Sequence, residues 1–243
     1  MPTQLDPLSL SADLLYAVRT ADDVDWLKRH LATLERSHLL RSLRGREQRL
    51  AFWLNCYNAY LHLLCESSPS IIDGSSLERW KFYARDRIPI AGVWLSLADI
   101  EHGMLRGSKH PWGLGYLPRP FPSSFEREFR LESVDPRIHF ALGRIGETGP
   151  PSTVFSSADI DEELDLTTEW YLEETVVYDA GSNTATVPFL FLWYRGDFGG
   201  GSGVLEFLRE YDALPETAVP RLEYESMYGE DWSIDIERAR DRE

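Results

Sequence analysis

The sequence predicts an α+β fold, with helices packed around a small, mainly antiparallel sheet in a single domain. Three observations carry this. The run from Leu50 to Cys65 is apolar almost all round, a pattern that belongs to a helix inside a core. Two stretches, Arg87 to Leu95 and Val176 to Val187, are short and apolar and bend at Gly92 and at Gly181-Ser182-Asn183, as hairpins do. The segments around them show apolar spacings of three and four, the period of amphipathic helices. At 243 residues, 43% apolar and 12% aromatic, the chain can bury a substantial core.

Residues Asp6 to Gly45 read as two helices, with Ser9 or Ser11 capping the first. Asp22 or Asp23 opens the second, whose stripe is Val24, Leu27, Leu31 and Leu34. Arg46 to Arg49 lead into the apolar helix, which Ser67-Ser68-Pro69-Ser70 ends. A short helix is expected around Leu77 to Trp80. Ser96-Leu97-Ala98-Asp99 is a variant of the capping box, opening a helix that runs through Arg106 to Gly107. Lys109 to Pro122 holds four prolines and two glycines, and reads as a loop long enough to cover a site.

Ile138 to Leu142 fits either a buried strand or a short helix, and Gly143 to Pro151 is a second loop. Ser156 or Ser157 caps a helix through Ile160, Leu164 and Tyr171. Pro188 to Tyr194 is apolar and fits strand or helix, and Val204 to Tyr211 is a last short helix. The chain divides into N-terminal helices over 1–45, a core over 46–220 and a charged segment over 221–243, where Trp232 suggests some docking.

Forty acidic against 25 basic residues give a formal net charge of -15, and Lys28, Lys81 and Lys109 are the only lysines. Scattered acid with little lysine is the composition of a protein adapted to a salty cytoplasm, where screening is short-ranged. Nucleic acid is not expected as a partner, since phosphate binding needs a basic face. Met1 to Leu14 lacks the basic start and apolar core of a secretory signal, and no apolar run has the length of a membrane span. The expectation is a cytoplasmic protein without a membrane partner. Cys56 and Cys65 lie nine apart on one helix, too distant for a disulfide.

The central helix carries a polar stripe. Asn55 and Asn58 are three apart, His62 stands four later, and buried amides need partners. Candidate answering groups are Glu101, His102, Arg106, Arg137 and His139, with Asp99, His102 and Arg106 sharing a helix side. Together with the asparagines, these groups suit binding and polarisation of a small anionic or amide-like group. The same residues also fit a buried polar network that ties helices together.

His102 and His139 with Asp135 or Glu101 have metal-ligand chemistry, but no HxxxH or HxH spacing accompanies them, so no metal or other cofactor is expected. Cys56 points away from both asparagines and reads as an inert core thiol. Asp197-Phe198-Gly199 copies a kinase triplet without the rest of the kinase signature. Gly199 to Gly203 precedes a helix without a Walker lysine, and reads as a plain turn.

At these residues the chain resembles the DUF547 family. Ala51-Phe52-Trp53-Leu54-Asn55-Cys56-Tyr57-Asn58-Ala59 is similar to its AFWINxYNA signature. Ile90-Ala91-Gly92 with Ser96 to Arg106 resembles its G…SLxDIEHxxLR block, and Asp135 to Leu142 its third. Trp193-Tyr194 and Asp197-Phe198 resemble its last, and Tyr228 to Ser233 echoes a closing YDWS-like element. The resemblance implies that Asn55, Asn58, Glu101, His102, Arg106, Asp135, Arg137 and His139 occupy the family's polar motif positions.

One departure stands out. Where the family has Ser-Cys-Pro-Pro, this chain has Thr148-Gly149-Pro150-Pro151, so the thiol of that element is missing. Two functions are compatible with these features. In the first, a non-catalytic binding or scaffold protein keeps the polar core for structure, its side chains sealed and mutually satisfied, and any partner is a small-molecule or peptide ligand. In the second, a hydrolase- or transferase-like enzyme uses His102 or His139 as acid/base, oriented by Glu101 or Asp135, with Arg106 or Arg137 as anion anchor and Asn55 and Asn58 contacting substrate. Gly149 tips the balance toward binding.

Overall fold

The computed structural model describes residues 5–145 and 153–225. Its fold is α+β, with helices around two small sheets. The axis is α4 (Arg46–Glu66), in which every residue from Leu50 to Leu61 is buried. Its start is fixed by the Gln48 side chain, which accepts the Gly45 N–H at 2.9 Å. His62 emerges exposed where the buried stretch ends.

Three helices precede it rather than two: α1 (Pro7–Thr20), α2 (Asp25–Ala32) and α3 (Arg36–Ser42). Asp6, not a serine, caps α1, accepting from Ser9 N at 3.0 Å, and Pro7 comes next, where no N–H is needed. α1 packs along α4. Leu27 and Leu31 are the buried positions of α2, as its stripe implies.

After α5 (Ser76–Ala84), β1 (Ile88–Ile90) and β2 (Val93–Leu95) form an antiparallel hairpin with Ile88 opposite Leu95. Ala91 and Gly92 at its tip have φ of 50° and 75°, the backbone of a tight two-residue hairpin turn. Their amides donate to Leu31 O and Ala32 O, both at 2.9 Å, satisfying carbonyls that end α2.

Next come a π-helix (Asp99–Leu105), α6 (Ser124–Phe129) and α7 (Ile138–Ala141), a single turn of helix where strand and helix were both open. α8 (Ile160–Thr175) leads to the second sheet, built from β3 (Val177–Asp179), β4 (Thr184–Pro188) and β5 (Arg221–Glu225). β3 and β4 form the expected hairpin, Val177 opposite Thr186. β5 adds to β4 in parallel, so the strands form two separate sheets and one pair departs from the antiparallel expectation. α9 (Leu190–Trp193) resolves the apolar segment after Pro188 as helix, and α10 (Gly200–Glu210) lies beyond it.

The core has two parts. One surrounds α4; the other gathers Phe140, Phe191, Phe198 and Phe207 with parts of α8, β4 and α10. α7 spans both: Ile138 and Ala141 pack into the first, Phe140 into the second. His139 therefore sits at the seam. No helix among the described residues is long and apolar enough to cross a membrane.

The asparagines of α4 find backbone partners. Asn58 Nδ2 donates to Ala141 O at 3.0 Å and its Oδ1 accepts from Gly143 N at 2.9 Å. Asn55 exchanges the same pair of bonds with Phe155, both at 2.8 Å. One helix face thus holds both ends of the stretch from 143 to 155. The Thr148 to Pro151 substitution lies outside the described residues, as does the Tyr228 to Ser233 element.

Asn58→Ala strands one buried carbonyl and one amide. It is expected to lower unfolding free energy by about 2–4 kcal/mol in urea titration, each unmet group costing roughly 1–3 kcal/mol. A loss under about 0.5 kcal/mol would show that these bonds hold nothing.

Candidate functional site

The site grows from the segment after β2. Ser96 and Asp99 cap each other reciprocally, Asp99 N donating to Ser96 Oγ at 3.0 Å and Ser96 N to Asp99 Oδ2 at 3.1 Å. The sequence pattern reads as an ordinary helix start, but the turns after Asp99 are wider than α-helical ones. Arg106 N reaches back five residues to Glu101 O at 2.8 Å, and Ser108 N to Gly103 O at 3.0 Å. Such π-turns are rare and recur at functional positions. Gly107, with φ of 61°, ends the segment.

The π-helix still stacks His102 on Arg106. Arg106 Nη1 approaches His102 Nδ1 at 2.9 Å, and Arg106 Nε donates to Asp197 Oδ2 at 2.6 Å. The same carboxylate oxygen meets His139 Nε2 at 2.9 Å. His139 stacks on Tyr194, centroids 4.0 Å apart and 18° between planes, and the Arg106 guanidinium lies 4.6 Å from that ring's centre. Tyr194 Oη donates to Glu101 Oε1 at 2.7 Å. Glu101, His102, Arg106, Asp197, His139 and Tyr194 therefore form a closed circuit of contacts drawn from the π-helix, α7 and the α9–α10 connection.

Electrostatics assign the protons. Burial pushes His102 down from 6.5 to about 4, with Glu101 opposing and the Arg106 and Arg119 charges assisting. Burial also lowers His139, although Asp197 works against it. Burial opposes ionisation of Glu101, but His102, Arg106 and the Tyr194 hydroxyl together hold it below the usual glutamate range. Asp197 is held low in the same way, by His139 and Arg106 against burial. Since a guanidinium only donates, His102 Nδ1 is the acceptor and the proton of the neutral ring sits on Nε2.

The circuit has a sealed side and an open one. Arg106, His139 and the Asp197 side chain are fully covered. Glu101, His102 and Tyr194 line a cleft of about 580 Å³. Its other walls include Tyr57 from α4, Trp80 and Tyr83 from α5, Trp112 from the Lys109 to Pro122 loop, and Trp193 from α9. Trp112 and Trp193 meet edge to face at 5.7 Å. Arg79, Arg119 and Arg144 also line it, with Asp86 and Asp99.

The loop is pinned across the circuit: Gly196 N donates to Leu114 O at 2.8 Å. Gly115 has φ of 81°, and a β-carbon there would lie 2.6 Å from Asp197 N. Only glycine lets the loop cross so close to the segment that supplies Asp197.

The predicted residues separate into three groups. Glu101, His102, Arg106 and His139 come together. Asn55 and Asn58 bond the backbone of 141–155 and are not among the cleft's described lining residues. Asp135 and Arg137 join another network. Arg137 donates to Asp135 Oδ2 at 2.7 Å, Asp161 Oδ1 at 2.5 Å and Asp165 Oδ1 at 2.8 Å, while Arg46 pairs with Asp135 and Asp161. That network ties the starts of α4 and α8. The two cysteines stay protonated, since burial pushes both thiols up.

Sequence reasoning missed Tyr194 and Asp197 as site residues, although both fall in a block that resembles the family. The aromatic walls were also missed; the tryptophans of the 109–122 and 189–194 segments were the available signal. Among the described residues no group of three or more histidines, cysteines or carboxylates is arranged to hold a metal ion.

The family model described as "Protein of unknown function, DUF547" matches residues 40–172. Neither a curated protein nor a solved structure matches the chain.

Two histidines lowered by folding make stability depend on pH. Between about 4 and 6.5 the unfolded chain binds protons that folded His102 refuses, so stability falls as pH falls through that window. The lowered carboxylates add their loss further down, as pH drops below their ordinary range. Urea unfolding at pH 6.8 and 4.5 is expected to show the slope. His102→Gln is expected to remove up to about 3 kcal/mol of the pH-dependent part. An unchanged slope in that variant would contradict a neutral, buried His102.

Proposed function

We propose a function from one premise: the chain belongs to the DUF547 family, whose model matches more than half of it. The protein is a ligand-binding protein whose cleft takes a small molecule against His102 and Glu101. One observation carries this reading. Arg106 occupies His102 Nδ1, so the imidazole presents Nε2–H, which has no protein partner among the described residues, on the wall of an aromatic cleft. A sealed structural network would leave no such donor facing a cavity.

Binding is favoured over covalent catalysis by the protonation states. His102, lowered to about 4, is neutral at pH 7 and is a weak base there. Buried Cys56 and half-buried Cys65 are both held as thiols rather than thiolates. Asn55, Asn58, Asp135 and Arg137 serve this reading from behind, fixing the backbone that flanks the site.

An acid–base enzyme is the second reading, and the pairing of ionised Glu101 with a neutral imidazole supports it. Glu101 would be the base and His102 would polarise a carbonyl.

A thermal-shift screen of small molecules in concentrated potassium chloride tests the cleft. A compound at 100 times its Kd adds about 2.7 kcal/mol, a rise of roughly 5–10 °C for a chain of this size. Trp112→Ala removes a half-exposed wall residue, so its own melting temperature is expected to stay near the wild type while the ligand-induced rise disappears. If every hit still shifts the variant fully, the cleft is not where ligands bind.

A further inference from the structure

The cleft reading leaves the ligand open, and its inner wall narrows the choice. Among the polar atoms there that have no protein partner among the described residues, the Tyr57 hydroxyl and the Asp86 carboxylate included, two lie on neighbouring residues and are of opposite kind. His102 Nε2 is a donor. Glu101 Oε2 is an acceptor on a carboxylate whose other oxygen already accepts from Tyr194. They belong to consecutive residues of the π-helix, and both side chains line the cleft.

Charge selects further. The described lining carries Arg79, Arg119 and Arg144 against Asp86, Asp99 and Glu101, so the formal charges cancel. Each guanidinium is already engaged: Arg79 with Ile72 O at 2.6 Å, Arg119 with Asp99 Oδ1 at 2.7 Å, Arg144 with His139 O at 3.2 Å. Arg119 is met by a carboxylate, whereas these bonds of Arg79 and Arg144 go to neutral carbonyls, so what opposes an anion beside His102 is the charge of Glu101 itself. Trp112 and Trp193, packed edge to face on each other, make that part of the wall aromatic, a surface that suits a flat group.

Resting on the cleft reading, we propose that the ligand is a neutral carboxamide attached to a planar ring, its carbonyl accepting from His102 Nε2–H and its N–H donating to Glu101. The alternatives fail on one atom each. A carboxylate places a second negative charge beside Glu101. An amidinium directs N–H against N–H at His102. A hydroxyl spans only one of the two positions well. A free amide and a peptide bond share the selected chemistry.

The test is a ligand-observed NMR titration of the whole chain at pH 7.5 in concentrated potassium chloride. The probes are benzamide, nicotinamide, benzoate, benzamidine and N-acetylphenylalaninamide, each in competition with any hit from the thermal screen. Benzamide and nicotinamide are expected to bind at least about tenfold more tightly than benzoate and benzamidine, the scale of one hydrogen bond to a charged group. Tighter binding of N-acetylphenylalaninamide than of benzamide assigns the amide to a peptide, and the reverse order to a small free amide; either supports the proposal.

In Glu101→Gln the gap between benzamide and benzoate is expected to shrink about tenfold. Benzoate or benzamidine binding as well as benzamide to the wild type overturns the proposal, whatever the variant does. So does a screen whose hits are displaced by none of the amides, in which case the cleft still binds ligands. If no compound binds at all, the cleft reading fails together with the proposal.

Discussion

Arg106 is a full positive charge with no exposed surface, and separate segments converge on it to meet two of its three guanidinium nitrogens, Nη2 being left without a partner among the described residues. Removing a guanidinium from water costs several kcal/mol, which a carboxylate repays only with good geometry and further hydrogen bonds. Here Asp197 supplies the counter-charge at 2.6 Å, His102 accepts a second N–H, and Tyr194 lays its ring under the cation. Asp197 in turn is shared with His139, and Tyr194 with Glu101. Loss of either charged partner would leave the other buried and alone, a penalty of about 3–5 kcal/mol. The circuit is therefore a unit: the Arg106 N–H facing Nδ1 holds the imidazole of His102 in one tautomer, while Arg106 Nη2, His139 Nδ1 and Asp197 Oδ1 are buried in it with no partner among the described residues.

The position of the unit is set by the packing. α7 contributes to both parts of the core, and His139 lies between Ile138 in one and Phe140 in the other. The π-helix packs on α4, and α8 touches α4 as well. The circuit lies where these two parts of the core meet. The cost of burying charge there is met in part by the Asp197 counter-charge, and the cleft opens beside it at Glu101, His102 and Tyr194.

Much of this was legible in the chain, for identifiable reasons. The apolar run around Asn55 and Asn58 could only be a core helix, and its amides had to be answered. They are answered by the backbone of Ala141, Gly143 and Phe155 rather than by the histidines, and no residue type announces a carbonyl partner. The four-residue spacing of His102 and Arg106 survives in the wider π-turn, so their pairing was readable while the turn itself was not. Asp197 and Tyr194 lie more than 90 residues from Arg106 and Glu101 in the chain, a separation that spacing rules do not bridge. Three N-terminal helices replaced two because Glu35 opens a fresh turn, α3, in a segment whose stripe looks continuous. The parallel pairing of β5 was hidden in a segment that reads as charged tail.

The contrast between surface and cleft bears on how a ligand is chosen. The chain carries a formal charge of -15, so its long-range field favours cations and resists anions. The described cleft lining carries none, since its three arginines and three carboxylates balance. In 1 M salt the screening length shrinks to about 3 Å. Steering from the surface then contributes little to which molecule stays. On the proposed reading, selection falls to contacts made inside, by His102, Glu101 and the indoles. Those interactions are short-ranged and directional, so they persist in strong salt where a charge-based site would fade.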